Sequence, residues 1–225
     1  VELLPFVVFG IAFAGLVAWL LAKERAERAS RMRALGRLGF APCPEETDAL
    51  AEAVARHENE SGYHYRIADP MRASVEGHPI WFYEKERARR GSGVAAYEVR
   101  LPLECCSPEG LVLFFKPSAL APGTTATWIG SLATAGWDSQ PDDLVRLDVP
   151  VDLQATNLIG VLAPAGASLY DLIAPKQLTA LQPVADHGVL VVTCRDGWCS
   201  LATATTRTTL DIDGLWPIVR QLVIH

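Results

Sequence analysis

The stretch Leu3–Ala22, LLPFVVFGIAFAGLVAWLLA, decides how this chain is built: twenty residues without a charge, bounded by Glu2 and Lys23. As an α-helix it is about 30 Å long, the thickness of a bilayer's hydrocarbon core. Pro5 falls in the first turn, where its missing N–H costs nothing. Apolar residues run right around the circumference, which a surface helix burying one stripe would not need. A cleaved secretory signal requires a basic leader, a shorter apolar core and small residues before the cut. Here the leading flank is acidic and Leu20 stands where a small residue is wanted. The expectation is a single transmembrane helix over residues 1–22.

The flanks set its orientation. Lys23, Arg25, Arg28, Arg31, Arg33 and Arg37 follow the span, against Glu24 and Glu27. Positive-inside bias then puts the N-terminus outside and everything after the span in the cytoplasm, on the inner membrane. Trp19 and Lys23 lie at the cytoplasmic interface, and Arg25, Arg28, Arg31 and Arg33 reach anionic lipid phosphates. Residues 23–41 read as a basic helical stalk and linker, rich in Ala, Arg, Glu and Leu and stopped by Gly36 and Gly39.

One side of the span is distinctive. Gly10, Ala14, Ala18 and Ala22 recur every four residues, forming a small-residue ridge, while Phe6, Phe9, Phe13, Leu16 and Leu20 supply bulk elsewhere. Small residues let two helix backbones approach and gain van der Waals contact in lipid, so the ridge is the expected docking face for other transmembrane subunits. The span holds no His, Asp or Glu, hence no imidazole ligand for a pigment or haem and no proton relay.

Six of the 20 basic and three of the 26 acidic residues fall in the first 40 positions, leaving 14 against 23 beyond them. That part is nine charges negative, which excludes nucleic acid as a partner, since backbone binding needs a basic surface. Cys43, Cys105, Cys106, Cys194 and Cys199 contain no C-x-x-C, so zinc-ribbon, thioredoxin and c-type haem chemistry are all absent from the pattern. Cys194 and Cys199 flank Arg-Asp-Gly-Trp, which places them to face each other across a hairpin; free thiols are expected there in a reducing cytoplasm, and a disulfide if the topology is reversed. Cys105 and Cys106 read as packing residues at a strand end.

Residues 42–225 read as an α+β soluble domain of antiparallel strands with flanking helices. Thr47–His57 carries Leu50 and Val54 at helical spacing. Tyr63–Ile67, Arg72–Glu76, Ile80–Arg87 and Val94–Leu101 are rich in β-branched and aromatic residues and are broken by Gly77-His78-Pro79 and by Arg89–Gly93, which predicts a meander. Leu111–Phe115 (LVLFF) has the composition of a buried central strand, and Val145–Leu153 that of another, interrupted at Pro150. Pro117–Asp142 has no clear period. Ser168 is the expected cap of a helix to Ala174, and Pro175 starts a further one to Leu181. Val189–Cys194 and Cys199–Thr205 form a hairpin about Asp196-Gly197, and Asp213 caps a last helix containing Leu215, Trp216, Val219 and Leu222.

The layout of anchor helix, Gly36–Phe40 exit (GRLGF), Gly77–Glu84 strand (GHPIWFYE), helix, hairpin and terminal helix resembles uncharacterised single-pass bacterial membrane proteins. It is also similar in layout to the single-span accessory subunits of photosynthetic reaction-centre and light-harvesting complexes. The resemblance implies an α+β domain on the cytoplasmic face and brings no site residues or cofactor with it.

No G-x-S-x-G, H-E-x-x-H, Walker loop or G-x-G-x-x-G is present, and Gly91-Ser92-Gly93 opens a strand and not a helix. His57, His64, His78, His187 and His225 have no neighbouring nucleophile and carboxylate in sequence, and read as surface or satisfied-core residues. Asp142-Asp143 and the Asp211/Asp213 pair read as solubilising turns. No catalytic, cofactor or metal residue is expected. The expected function is a non-enzymatic accessory subunit that docks on and stabilises a larger bacterial membrane complex, in the first place a photosynthetic reaction-centre or light-harvesting assembly. The alternatives are a membrane-anchored enzyme or small-ligand sensor whose site lacks a local motif, and a subunit of a respiratory or transport complex.

Overall fold

In a computed structural model the chain divides into two compact units, Val1–Gly39 and Phe40–His225. The structure describes residues 4–89, 92–103, 109–118, 141–153, 156–204 and 210–224. The first unit is one helix, α1 (Leu4–Arg37), unbroken from the apolar stretch into the stalk as its strong helix formers dictate. Its described side chains begin at Phe9 and Phe13; those of 4–8 and 10–12, much of the expected span, lie outside the description. Among the described residues no helix is long and apolar enough to cross a membrane.

The second unit is α+β. Nine described strands make one antiparallel sheet in the order β1-β2-β3-β4-β9-β8-β5-β7-β6. These are β1 (Ala41–Pro42), β2 (His64–Val75), β3 (His78–Arg89), β4 (Ser92–Pro102), β5 (Leu111–Phe115), β6 (Val145–Leu147), β7 (Leu158–Ala163), β8 (Val191–Arg195) and β9 (Trp198–Ala202). The meander β2-β3-β4 is present. Its first turn is Glu76-Gly77, both at positive φ, one residue earlier than Gly77-His78-Pro79 suggests.

Two of the expected strands are one. The expected strands Tyr63–Ile67 and Arg72–Glu76 merge into the continuous β2, which runs from His64 to Val75, and Asp69-Pro70 is not a break but a bulge between Ala68 and Met71, with Asp69 at φ 51°. A bulge absorbs a proline inside a strand because the extra residue owes no ladder hydrogen bond. Conversely, Val145–Leu153 is a strand only to Leu147, and a 3-10 turn takes over at Val151 after Pro150. The predicted hairpin turns at Asp196 (φ 52°) and Gly197 (φ 75°), the pair of left-handed residues that a two-residue turn matching strand twist requires. It inserts between β4 and β5, so LVLFF of β5 is flanked by β8 and β7 and buried along its whole length.

Paired residues share a sheet face, which separates the two sides. One carries Phe82, Val99, Leu201, Val192 and Leu113, all essentially buried. On the same unit α4 (Pro175–Leu181) packs with α5 (Ile212–Ile224), which also meets β4. The expected helix to Ala174 is shorter, α3 (Leu169–Leu172). On the other face α2 (Thr47–Glu58) lays Leu50 and Val54 on Ile67 and Tyr83. Cys105, Cys106, Gly91, Trp128 and Trp137, and positions 119–140 of the aperiodic segment, lie outside the described residues.

Two acidic pairs are not mere solubilising turns. Arg195 Nη1 and Nη2 donate to the two oxygens of Asp143 at 2.7 and 2.9 Å, holding the carboxyl below its usual range. Asp142 accepts from the Ser61 N–H at 3.2 Å. Asp211 ties down the start of α5, and Asp213 lies inside the helix: Asp211 Oδ1 accepts from the Gly214 N–H at 3.1 Å and its Oδ2 meets His187 Nδ1 at 2.9 Å.

Candidate functional site

The β period puts Tyr83, Lys85 and Arg87 of β3 on the face that α2 covers, opposite Glu98, Ala96 and Val94 of β4. α2 ends at Glu58, directly above them, and Glu60 follows in the next turn of chain. Lys85 Nζ lies 2.5 Å from Glu58 Oε1 and 2.6 Å from Glu98 Oε2, and Tyr83 donates to Glu98 Oε1. Arg87 pairs with Glu60 (2.6 Å), which also accepts from Tyr65 (2.6 Å); the Arg87 guanidinium stacks 3.9 Å from the Tyr63 ring centroid.

Glu98 and Tyr83 are completely buried and Lys85 nearly so, while Glu58, Glu60, Tyr65 and Arg87 are half-buried. Burial alone would raise the Glu98 carboxyl and lower the Lys85 ammonium. Their pairing outweighs it in both, so Glu98 sits below and Lys85 above the ordinary value. Glu60 is instead raised, by burial and then by the Glu58 charge. His57, one residue before Glu58, donates Nε2–H to the Thr193 carbonyl across 3.2 Å; burial, and then the Arg100 charge, lowers it to about 4, so it is neutral. Arg100 is buried on the same face, over the Trp198 ring. The cluster therefore sets three carboxylates, Glu58, Glu60 and Glu98, against three cations, Lys85, Arg87 and Arg100.

Beside the cluster α2 no longer covers the sheet, and a slot opens. Its floor continues from Lys85 and Arg87 over Val94 and Ala96 of β4 and Ala202 of β9, with Ala204 just beyond. It then crosses Val191 and Thr193 of β8, Val112 and Phe114 of β5, and Leu162 of β7. The cavity in it is about 70 Å³ and opens to solvent. The alanines make it: on the central strands they leave bare the backbone that larger residues would cover.

Lys85, Arg87, Glu58, Glu60 and Glu98 each face a counter-charge, whereas Arg100 Nη1 is buried with no hydrogen-bond partner among the described residues, and no nucleophile stands next to a base in the cluster. Among the described residues no group of three or more His, Cys, Asp or Glu could hold a metal ion. Sequence reading singled out none of these residues. No alternation marks them, since β3 is charged at every position from Glu84 to Arg87, and Glu58 and Glu98 join Lys85 only through the fold and the register.

The residues that the sequence does single out lie on α1. Ala14, Ala18 and Ala22 are exposed, and helix geometry puts them with Gly10 on a ridge that winds about a third of the way around the axis. A side chain built at neighbouring Gly15 meets nothing within 4 Å. Trp19 is exposed, with Lys23 Nζ 5.7 Å from its ring centroid. Arg25, Arg28 and Arg33 are exposed and Arg31 is half-buried.

No family model matches the chain, and no curated protein matches it. Among solved structures, the crystal structure of the mycobacterial trehalose monomycolate transport factor A, TtfA, is similar over 71% of this chain and 69% of that one, at 10% identity and a TM-score of 0.36. A likeness at that level carries no conclusion, and none of these comparisons bears on photosynthetic complexes.

Proposed function

We propose that this chain is a non-enzymatic accessory subunit of a larger membrane complex, anchored by α1 with its α+β unit on the cytoplasmic side. The observation that supports it is where bulk is left uncovered. Phe9, Phe13, Leu16, Val17, Trp19, Leu20 and Leu21 of α1 are 38–71% exposed, whereas in the second unit only Val145, Tyr170 and Ile224 are large, apolar and exposed among the described residues. Apolar bulk concentrated on one helix calls for lipid or other helices around it.

The six basic residues after the apolar stretch set the orientation, each contributing about 1 kcal/mol near an anionic surface. Partner helices dock on the ridge of Gly10, Ala14 and Ala18. The test is co-purification from native membranes of Ala14→Leu and of a control on the bulky side, Phe13→Leu. Ala14→Leu inserts in the membrane but leaves the complex, and Phe13→Leu stays. Equal recovery of both with the complex would remove the ridge from the account.

A further inference from the structure

We infer that a second cavity, beside α3, α4 and the 3-10 turn Val151–Leu153, binds a small primary amine with an apolar body, in its protonated form. Three observations lead there, and none depends on the anchor reading of α1.

The first is room. The cavity is about 430 Å³, within the roughly 300–1,000 Å³ of small-molecule sites, and it opens to solvent. Leu153, Pro175 and Leu178 give it apolar surface. Tyr170 also lines it, and is one of the three large apolar side chains left exposed in this unit among the described residues. An aromatic ring beside an open cavity offers a cation its electron-rich face.

The second is charge. Asp152 is the one charged residue among the described residues that line the cavity, so no basic side chain in the wall answers its carboxylate. An anion is repelled there and a cation drawn in. A metal ion is poorly served: a hard cation needs several oxygen ligands, and the cavity offers a single carboxylate.

The third is the direction of the hydrogen bonds. The Tyr170 hydroxyl donates to Asp152 Oδ2, the Thr156 hydroxyl to the Leu153 carbonyl at 2.6 Å, and the Thr179 hydroxyl to the Pro175 carbonyl at 2.9 Å. A hydroxyl has a single hydrogen, so all three meet a ligand as acceptors. The remaining side-chain donor of the lining, Gln182 Nε2, is itself buried away from solvent. A carboxylate and hydroxyl oxygens that only accept suit a group that only donates. An ammonium has three N–H donors and no acceptor. An alcohol or sugar would bring acceptor oxygens that these side chains cannot serve, and a quaternary ammonium would bring charge without donors.

The experiment titrates the full chain in detergent with phenethylammonium chloride at neutral pH, by isothermal titration calorimetry. Saturable binding at a single site is expected. The comparison probes are 2-phenylethanol, which keeps the shape without the charge, 3-phenylpropanoate, which reverses the charge, and the trimethylated amine, which keeps the charge without N–H. Each should bind at least about tenfold more weakly, the scale of a lost charge-assisted hydrogen bond. Asp152→Asn should weaken the parent amine by about tenfold or more. Thr179→Arg, which sets a cation in the same wall, should abolish binding. Both positions are exposed, so neither change disturbs the core. No saturable heat in the parent, or heat unchanged in the two variants as partition into detergent would give, would overturn the site. Equal affinity for 2-phenylethanol or 3-phenylpropanoate would overturn recognition of the charge, and equal affinity for the trimethylated amine would overturn recognition of the N–H donors.

Discussion

His57 gives the sharpest quantitative consequence of the fold. Its ring is buried with Nε2–H on the Thr193 carbonyl, facing Arg100, Glu58 and Glu98, and is held at about 4 against an ordinary 6.5. A depressed value means that the unfolded chain takes up the proton first. The neutral ring's contribution to stability is therefore complete above pH 6.5 and drains away as the pH falls towards 4. At pH 5 the unfolded histidine is almost wholly protonated and the folded one barely so, which costs about 2 kcal/mol relative to pH 7.5. His57→Gln retains a donor near Thr193 and cannot titrate. Urea unfolding of the full chain in detergent, followed by tryptophan fluorescence at both pH values, should show the parent losing about 2 kcal/mol more than the variant. Glu60, whose raised carboxyl works in the opposite sense, is common to both proteins and cancels. Equal losses in parent and variant would show that His57 is not buried in the neutral form.

Lys85→Met strands two buried carboxylates and should destabilise the chain by about 3–5 kcal/mol, with partial recovery on adding Glu98→Gln, both read from urea midpoints. Gly110 has φ 93°, and a Cβ there would stand 2.6 Å from Arg195 Nη2, so Gly110→Ala should cost about 1–3 kcal/mol and loosen the Arg195–Asp143 pair, visible as faster amide exchange over residues 141–147. Cys194 and Cys199 are directly opposed and fully buried, so they should take up maleimide without prior reduction only after denaturant is added; immediate labelling of the native protein would mean that the hairpin is open.

How far the sequence reveals this molecule depends on whether the signal is local. Asp196-Gly197 places a hairpin because two left-handed residues in a row leave few alternatives, and LVLFF declares burial on both faces. The strand at Leu158–Ala163 goes unread: its run is short, contains Gly160, and is apolar without alternation, so no period separates it from helix. Asp69-Pro70 looks like a terminator because strand proline is costly, and only the pairing with β3 reveals a bulge. The cluster is harder still. Lys85, Glu58 and Glu98 are ordinary surface residues by composition, and they meet because a helix end, two strands and one register coincide. The slot is defined by what is missing, the side chains beyond Cβ at Ala96, Ala202 and Ala204, and absent bulk leaves no mark in a hydropathy pattern. The roles of Asp143 and Asp211 likewise rest on Arg195 and His187, 52 and 24 residues away.

Under the proposed function α1 fixes this chain in a membrane. Expression of the full chain in a bacterium, followed by an alkaline carbonate wash of the isolated membranes, decides between anchoring and its absence. An anchored chain stays in the washed membrane pellet. Recovery of the chain in the carbonate supernatant, or in the soluble fraction beforehand, would contradict it.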